Sequence, residues 1–166
     1  MEISKAHLTS FYRKVEADFK ETPLVLVHIG LENTYLVYQR SALPLSSDFS
    51  GTDEQIETIS LGSKNVAARF FRHTPPTESD IEMAINDVED SLMPLVGKIG
   101  PLKAQLISFD PVVSDISRYT GVQSAMTGIK DIEDIFSRLT LIIAGRPSSM
   151  DILPDDNEFI ASELLL

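Results

Sequence analysis

Pro23-Leu-Val-Leu-Val-His-Ile-Gly-Leu-Glu-Asn-Thr-Tyr-Leu-Val-Tyr38 is the stretch whose reading decides the fold. Leu24 to Ile29 is almost wholly apolar and β-branched, as expected of a strand covered on both faces. Thr34 to Gln39 is rich in Thr, Tyr and Val and reads as a second strand. Only Gly30 to Asn33 separates them, a tight turn whose Gly and Asn both tolerate positive φ. A third strand, Gln55 to Leu61, alternates without a clean apolar face. A hairpin-led sheet is therefore expected.

Outward from the hairpin, residues 3–20 place Leu8, Phe11, Tyr12, Val15 and Phe19 at helical spacing, predicting an amphipathic helix before Pro23. Ser41 to Asp53 is the most loop-like piece, and Ser63 to Thr74 reads as a short helix. Pro75-Pro76 then precedes the clearest helix start in the chain. Thr77 is the expected N-cap, with Asp80 three residues on in a capping-box arrangement. Ile81, Ile85, Val88, Leu92, Leu95 and Ile99 form one stripe, Pro94 should kink or divide the helix, and Gly97 and Gly100-Pro101 should end it. Lys103 to Phe109 reads as a short apolar strand, and Asp110-Pro111 turns the chain into a helix over Val112 to Tyr119. Further helices are expected over Ile129 to Ile143 and from Asp156 to Leu166, joined by a connector at Pro147 to Pro154. The expected order is α-β-β-β-α-β-α-α-α, a mixed α/β domain.

The 166 residues are expected to make a single domain, 1–166, large enough to bury a core. Neither a membrane span nor a leader is read from the apolar runs. The absence of cysteine excludes disulfides, thiolate nucleophiles and Cys-containing zinc sites, and suits a cytoplasmic location. A net charge of −11 repels phosphate backbones, so no nucleic-acid partner is expected. It also disfavours an unaided polyanion site.

Several residues could carry chemistry, each with a plainer reading beside it. The turn holding Gly30, Asn33 and Thr34 is where a glycine-rich loop would present backbone N–H groups to a phosphate. With one glycine, an ordinary hairpin is the plainer reading. His28 could be a ligand or base, but no second His or carboxylate is spaced to join it, so a satisfied buried histidine is preferred. His7 and His73 are expected at the surface. Asp110, directly after a strand, is placed equally well for function and for turning the chain before Pro111. The acids Glu78, Asp80, Glu82, Asp87, Glu89 and Asp90 read as the solvated face of their helix. Lys64, Arg69 and Arg72 form the one basic cluster of note, and offsetting nearby acids is the plainer role. No metal site is expected from spacing.

Three stretches together resemble the second core domain of the exopolyphosphatase and guanosine pentaphosphate phosphatase (Ppx/GppA) family, within the actin-like ATPase superfamily. Val27-His-Ile-Gly-Leu-Glu-Asn-Thr-Tyr-Leu36 lies where that family has Asp-Ile-Gly-Gly-Gly-Ser-Thr-Glu-Leu. Ile59-Ser-Leu-Gly-Ser-Lys-Asn-Val-Ala-Ala-Arg-Phe70 with Pro75-Pro-Thr is similar to its Leu-Gly…Arg-Phe…Pro-Pro-Thr segment. Ile129 to Leu165, with Arg146, is similar to its closing helices. The resemblance implies a ribonuclease H-like (actin-like ATPase) lobe with a mixed sheet, one part of a longer two-lobe protein. It also implies that the phosphate machinery has eroded. The strand-end Asp that helps hold metal falls on His28, two turn glycines fall on Leu31 and Glu32, and the later Gly-Gly-Thr turn falls on Ser108-Phe-Asp-Pro-Val112. Only Gly30 and Thr34 persist. The resemblance thus implies a non-catalytic domain with a binding or regulatory role and no cofactor. Two alternatives accompany it. One is a phosphoanhydride hydrolase using Mg2+ when joined to an upstream lobe, with Thr34 and Asp110 facing the metal. The other is a protein-interaction platform whose exposed apolar wall finds a partner or self-associates.

Overall fold

The computed structural model describes residues 3–19, 23–39, 54–102, 104–120, 137 and 157–165. The elements are α1 (Lys5–Glu16), β1 (Leu24–Ile29), β2 (Thr34–Gln39), β3 (Glu54–Ile59), α2 (Ser63–Phe70), α3 (Glu78–Ile99), β4 (Gln105–Ile107), α4 (Pro111–Thr120) and α5 (Asn157–Leu164), with a 3-10 turn at Gly100–Leu102. The helix expected over Ile129 to Ile143, the loop at Ser41 to Asp53 and the connector at Pro147 to Pro154 lie outside the described residues.

The sheet order is β3-β2-β1-β4. β1 and β2 form the hairpin, antiparallel, with Ile29 opposite Thr34 and His28 opposite Tyr35. β3 extends it antiparallel, while β4 joins β1 in parallel over three residue pairs, Leu24 to Gln105 through Leu26 to Ile107. β3 lies at the sheet edge among the described strands, which accounts for its lack of a clean apolar face.

Strand alternation sends the hairpin's side chains to two separate cores. Val25, Leu36, Tyr38 and Ile59 meet α2, α3, α4 and α5 through Val66, Ile81, Val88, Val112 and Ile160. Leu24, Leu26, Tyr35 and Val37 meet α1 through Leu8 and Tyr12. The sheet is thus sandwiched, with α1 the one described helix on the second side. Tyr12 also donates to the carbonyl of Leu24 at 3.2 Å, fixing α1 to the start of β1.

Four local expectations are corrected. α1 ends at Glu16, three residues before Phe19, which is 41% exposed instead of facing inward. The short helix expected over Ser63 to Thr74 is present as α2 but stops at Phe70. β4 is confined to Gln105–Ile107, shorter than the strand expected from Lys103 to Phe109. α3 is neither divided at Pro94 nor ended at Gly97; it runs to Ile99 with Gly100 as C-cap. Its apolar stripe supplies buried Ile81, Val88 and Leu95, and that packing outweighs the single backbone hydrogen bond a proline removes. Thr77 and Asp80 close the expected capping box: the Thr77 hydroxyl accepts from the Asp80 N–H at 3.2 Å and the Asp80 carboxylate from the Thr77 N–H at 3.0 Å. Asp80 is therefore buried while Glu78, Glu82 and Glu89 face water.

Candidate functional site

Parallel pairing brings the C-terminal ends of β1 and β4 side by side, the place where sheets of this type collect functional groups. His28 and Asp110, 82 positions apart, meet there, Nδ1 to Oδ1 at 2.5 Å, and both are buried. The expectation that no carboxylate joins His28 is therefore corrected, while its burial is as expected. The other Asp110 oxygen accepts from the backbone N–H of Ile29 at 2.8 Å and from the Ser108 hydroxyl at 2.8 Å. One carboxylate thus ties the end of β1 to the end of β4. His28 lies between aromatic rings, with Phe109 stacked at 5.2 Å and Tyr35 at 6.2 Å. Phe11 of α1 packs edge-on against Phe109 at 4.6 Å. The His28 Nε2 is buried without a hydrogen-bond partner among the described residues. That places the ring proton on Nδ1, because a bare lone pair is less costly to bury than a stranded N–H.

The turn after β1 is locked from the other side. Its own closure is the Gly30 N–H donating to the Asn33 carbonyl at 2.9 Å. The first three N–H groups of α2 then donate into it: Ser63 to the Gly30 carbonyl at 3.0 Å, and Lys64 and Asn65 to the Leu31 carbonyl at 3.0 and 3.3 Å. These are the orphan donors of a helix start, the groups that would otherwise serve an anion. Asn65 adds a second seam, donating to the carbonyls of Glu32 and Ser60 at 2.6 and 3.2 Å, while its oxygen takes the Gly62 N–H at 2.6 Å. Such close seating requires glycine on both sides. A Cβ on Gly62 would lie 2.5 Å from the Gly30 oxygen and 2.5 Å from the Leu31 carbonyl carbon, and one on Gly30 would lie 2.8 Å from the Asn33 oxygen. Thr34 is buried, its hydroxyl donating to the Leu61 carbonyl at 2.8 Å.

Gly30, Asn33 and Thr34 therefore sit together on the turn and Asp110 beside its base, but each of their polar groups described above engages the protein itself. His7 is exposed, and His73 is exposed beside Asp80 at 3.2 Å. Of the basic cluster, Arg69 pairs with Asp87 at 2.9 Å, while Lys64 and Arg72 are exposed. Gly62, Ser63 and Asn65, which complete the lock, were not singled out from the sequence, although the Ser-Leu-Gly-Ser-Lys-Asn run after β3 contains them.

The donor set does not fit a hard divalent cation, which takes several oxygens in a near-octahedral shell. Asp110 is the carboxylate at the junction, and its oxygens are occupied by an imidazole, an amide and a hydroxyl. Among the described residues no three His, Cys, Asp or Glu are grouped to hold a metal.

The hairpin-led mixed sheet in the order β3-β2-β1-β4, with helices packed on both faces, has the fold of solved Ppx/GppA structures. Comparison with solved structures places it among Ppx/GppA folds. A Ppx/GppA phosphatase from Aquifex aeolicus superposes with a TM-score of 0.64 at 16% identity, over 93% of this chain and 51% of that one. An exopolyphosphatase-like protein gives 0.58 at 19% identity, over 86% and 46%. An exopolyphosphatase from Cytophaga hutchinsonii gives 0.53 at 18% identity, over 87% and 46%. The chain thus spans about half the length of these structures. No family model and no curated protein sequence matches it. No helix among the described residues is long and apolar enough to cross a membrane.

Proposed function

We propose that this chain is one lobe of a Ppx/GppA-like protein that does not catalyse phosphoryl transfer and instead acts by binding or regulation. The observation that carries this reading is the internal use of the turn's surroundings. The α2 N–H groups that could meet a phosphate donate to the Gly30 and Leu31 carbonyls, and the strand-end carboxylate is held by His28, Ile29 and Ser108. Phosphoryl transfer needs its charge met by metal and by oriented donors. An anion at this turn would have to displace at least three backbone hydrogen bonds and lie near the Asp110 carboxylate. On this reading the lobe works without Mg2+, in the cytoplasm, with neither nucleic acid nor membrane as a partner.

The test is incubation of the chain with polyphosphate, guanosine pentaphosphate or ATP plus Mg2+, followed by phosphate release and by the amide shifts of Gly30 and Leu31. No release and no saturable shift are expected. Turnover above the blank, or saturable shifts at those amides, would overturn the reading.

A second reading is favoured by the half-length coverage of the solved structures. Joined to another lobe, the chain would form part of a phosphoanhydride hydrolase, with Thr34 and Asp110 turned towards a metal held mainly by the other lobe. A longer protein containing both lobes, assayed beside this chain, decides between them. Inactivity of both removes the second reading.

A further inference from the structure

On the face opposite the large helical layer, a groove of about 660 Å³ opens between α1 and Phe109. Its walls are apolar, made by Ile3, Phe11 and Phe109, and its titratable groups are His7 and Lys14. The size and the mixture of apolar walls with few polar groups are those of small-ligand sites. The charge is out of keeping with the rest of the chain. In a protein of net charge −11, the ionisable residues lining this groove among the described residues are His7 and Lys14, and none is an acid. Lys14 has no ion pair among the described residues, whereas Arg13, Arg69 and Lys98 each hold a carboxylate within 2.9 Å.

We propose that this groove binds a small amphipathic acid, its apolar body on Phe11 and Phe109 and its carboxylate against Lys14, with His7 beside it. The lysine supplies one charge-assisted contact at the rim, and the two rings supply the apolar surface. Phe109 links the groove to the interior. One face of its ring meets His28 at 5.2 Å, and its neighbour in sequence, Asp110, holds the same imidazole. A ligand against Phe109 is therefore read out at His28. This site is separate from the turn at Gly30 and stands or falls independently of the chain's activity towards phosphate.

The experiment is an NMR titration of the full chain with decanoate below its micelle threshold, alongside decanol and decylammonium. Saturable shifts are expected in α1, Phe109 and the His28 ring, with decanoate binding more tightly than decanol and decylammonium weakest. Lys14→Glu, an exposed change on a helix, should weaken decanoate by roughly fivefold or more and leave decanol unchanged. Equal binding of decylammonium and decanoate, or indifference to Lys14→Glu, would overturn the assignment. So would shifts lying elsewhere, the absence of saturation, or the same shifts on concentrating the protein alone, which would put a second copy in the groove.

Discussion

Replacing Asp110 tests the junction between β1 and β4. The two strands pair over only three residue pairs, so the Asp110 carboxylate supplies a large share of what joins their ends. Asp110→Ala removes three acceptor contacts at once, to His28 Nδ1, the Ile29 N–H and the Ser108 hydroxyl. The His28 and Ile29 donors are then stranded in the interior, at about 1–3 kcal/mol each. Ser108 is half-buried and its hydroxyl can turn towards water, so it adds little. The sum is roughly 2–6 kcal/mol, a span that brackets the about 3–5 kcal/mol seen when one member of a buried polar pair is removed. Asp110→Asn differs in a way the geometry fixes. Its carbonyl oxygen can serve Ile29 and Ser108, but its amide then faces His28 Nδ1, and the imidazole must move its proton to the buried Nε2. One stranded N–H remains in place of two, so about 1–3 kcal/mol is expected, roughly half the loss in Asp110→Ala.

Urea denaturation followed by far-UV circular dichroism measures both variants, and the midpoint should fall with an unchanged m value. His28→Phe preserves the ring stack between Phe109 and Tyr35 while removing the donor, so a double-mutant cycle with Asp110→Ala should return a coupling of about 1–2 kcal/mol. Hydrogen exchange at Ile29 should accelerate in Asp110→Ala before exchange in the β1–β2 ladder does. An Asp110→Ala variant within about 1 kcal/mol of the parent, or an Asn variant as damaged as the Ala one, would refute the clamp.

Gly62→Ala should lower stability by about 2–3 kcal/mol in the same urea assay, because its Cβ meets backbone at 2.5 Å on two atoms. Gly97→Ala, which meets nothing within 4 Å inside α3, should raise stability by about 1 kcal/mol. Thr77→Ala removes the N-cap of α3 and should lower the midpoint by the equivalent of about 1 kcal/mol. At acid pH, the Thr77 backbone N–H first and then His73 hold the Asp80 carboxyl below its ordinary value of 3.8. A depressed value adds stability that is present above about 3.8 and lost as pH falls through the folded value, and Asp80→Asn should flatten that part of a pH–stability curve. At alkaline pH, burial first and then Glu16 push the Tyr12 hydroxyl up to about 12. Its contribution is therefore complete below the ordinary value of 10.0 and disappears as pH rises through about 12, and Tyr12→Phe should remove the part of the phenolate absorbance that rises near that pH.

The hairpin, the α3 start and the two-sided burial of β1 were legible because each is written in adjacent residues. Apolar β-branched runs, a four-residue gap with Gly and Asn, and Thr77 three residues before Asp80 are local signals. The End of α1 was misread because Phe19 continues the helical period past the point where the backbone leaves the helix. The His28–Asp110 pair was out of reach for a different reason. Both residues were singled out, but their partnership depends on β1 and β4 being parallel neighbours, which periodicity does not specify. A usable signal exists all the same: a polar residue near the end of an otherwise apolar strand, and an acid just past the end of a second strand, are natural partners once those strands adjoin. Gly62 was passed over because it reads as ordinary loop punctuation, and only the 2.5 Å approach to Gly30 and Leu31 reveals its role.

The two glycines of the site also bear on how this chain relates to phosphate chemistry. Near a phosphate, a glycine keeps the space above the backbone open so that an anion can reach the N–H groups. Here the space beside Gly30 and Gly62 is filled by the two segments themselves, Gly62 pressing onto the Gly30 and Leu31 backbone. The helix start supplies three N–H donors, and carbonyls accept them. Carbonyls attract such donors less strongly than a phosphate would, yet they are covalently held in place and need no counter-ion in a chain of net charge −11. Opening the seam for an anion would strand the Gly30 and Leu31 carbonyls, at about 1–3 kcal/mol each where they stay buried. A bare phosphate would also approach the Asp110 carboxylate, whose repulsion the His28 proton only partly offsets. The same small residues that would admit an anion elsewhere here allow the β1–β2 turn and the start of α2 to close on each other, and that closure is the physical basis for proposing a lobe that holds its shape without the ligand.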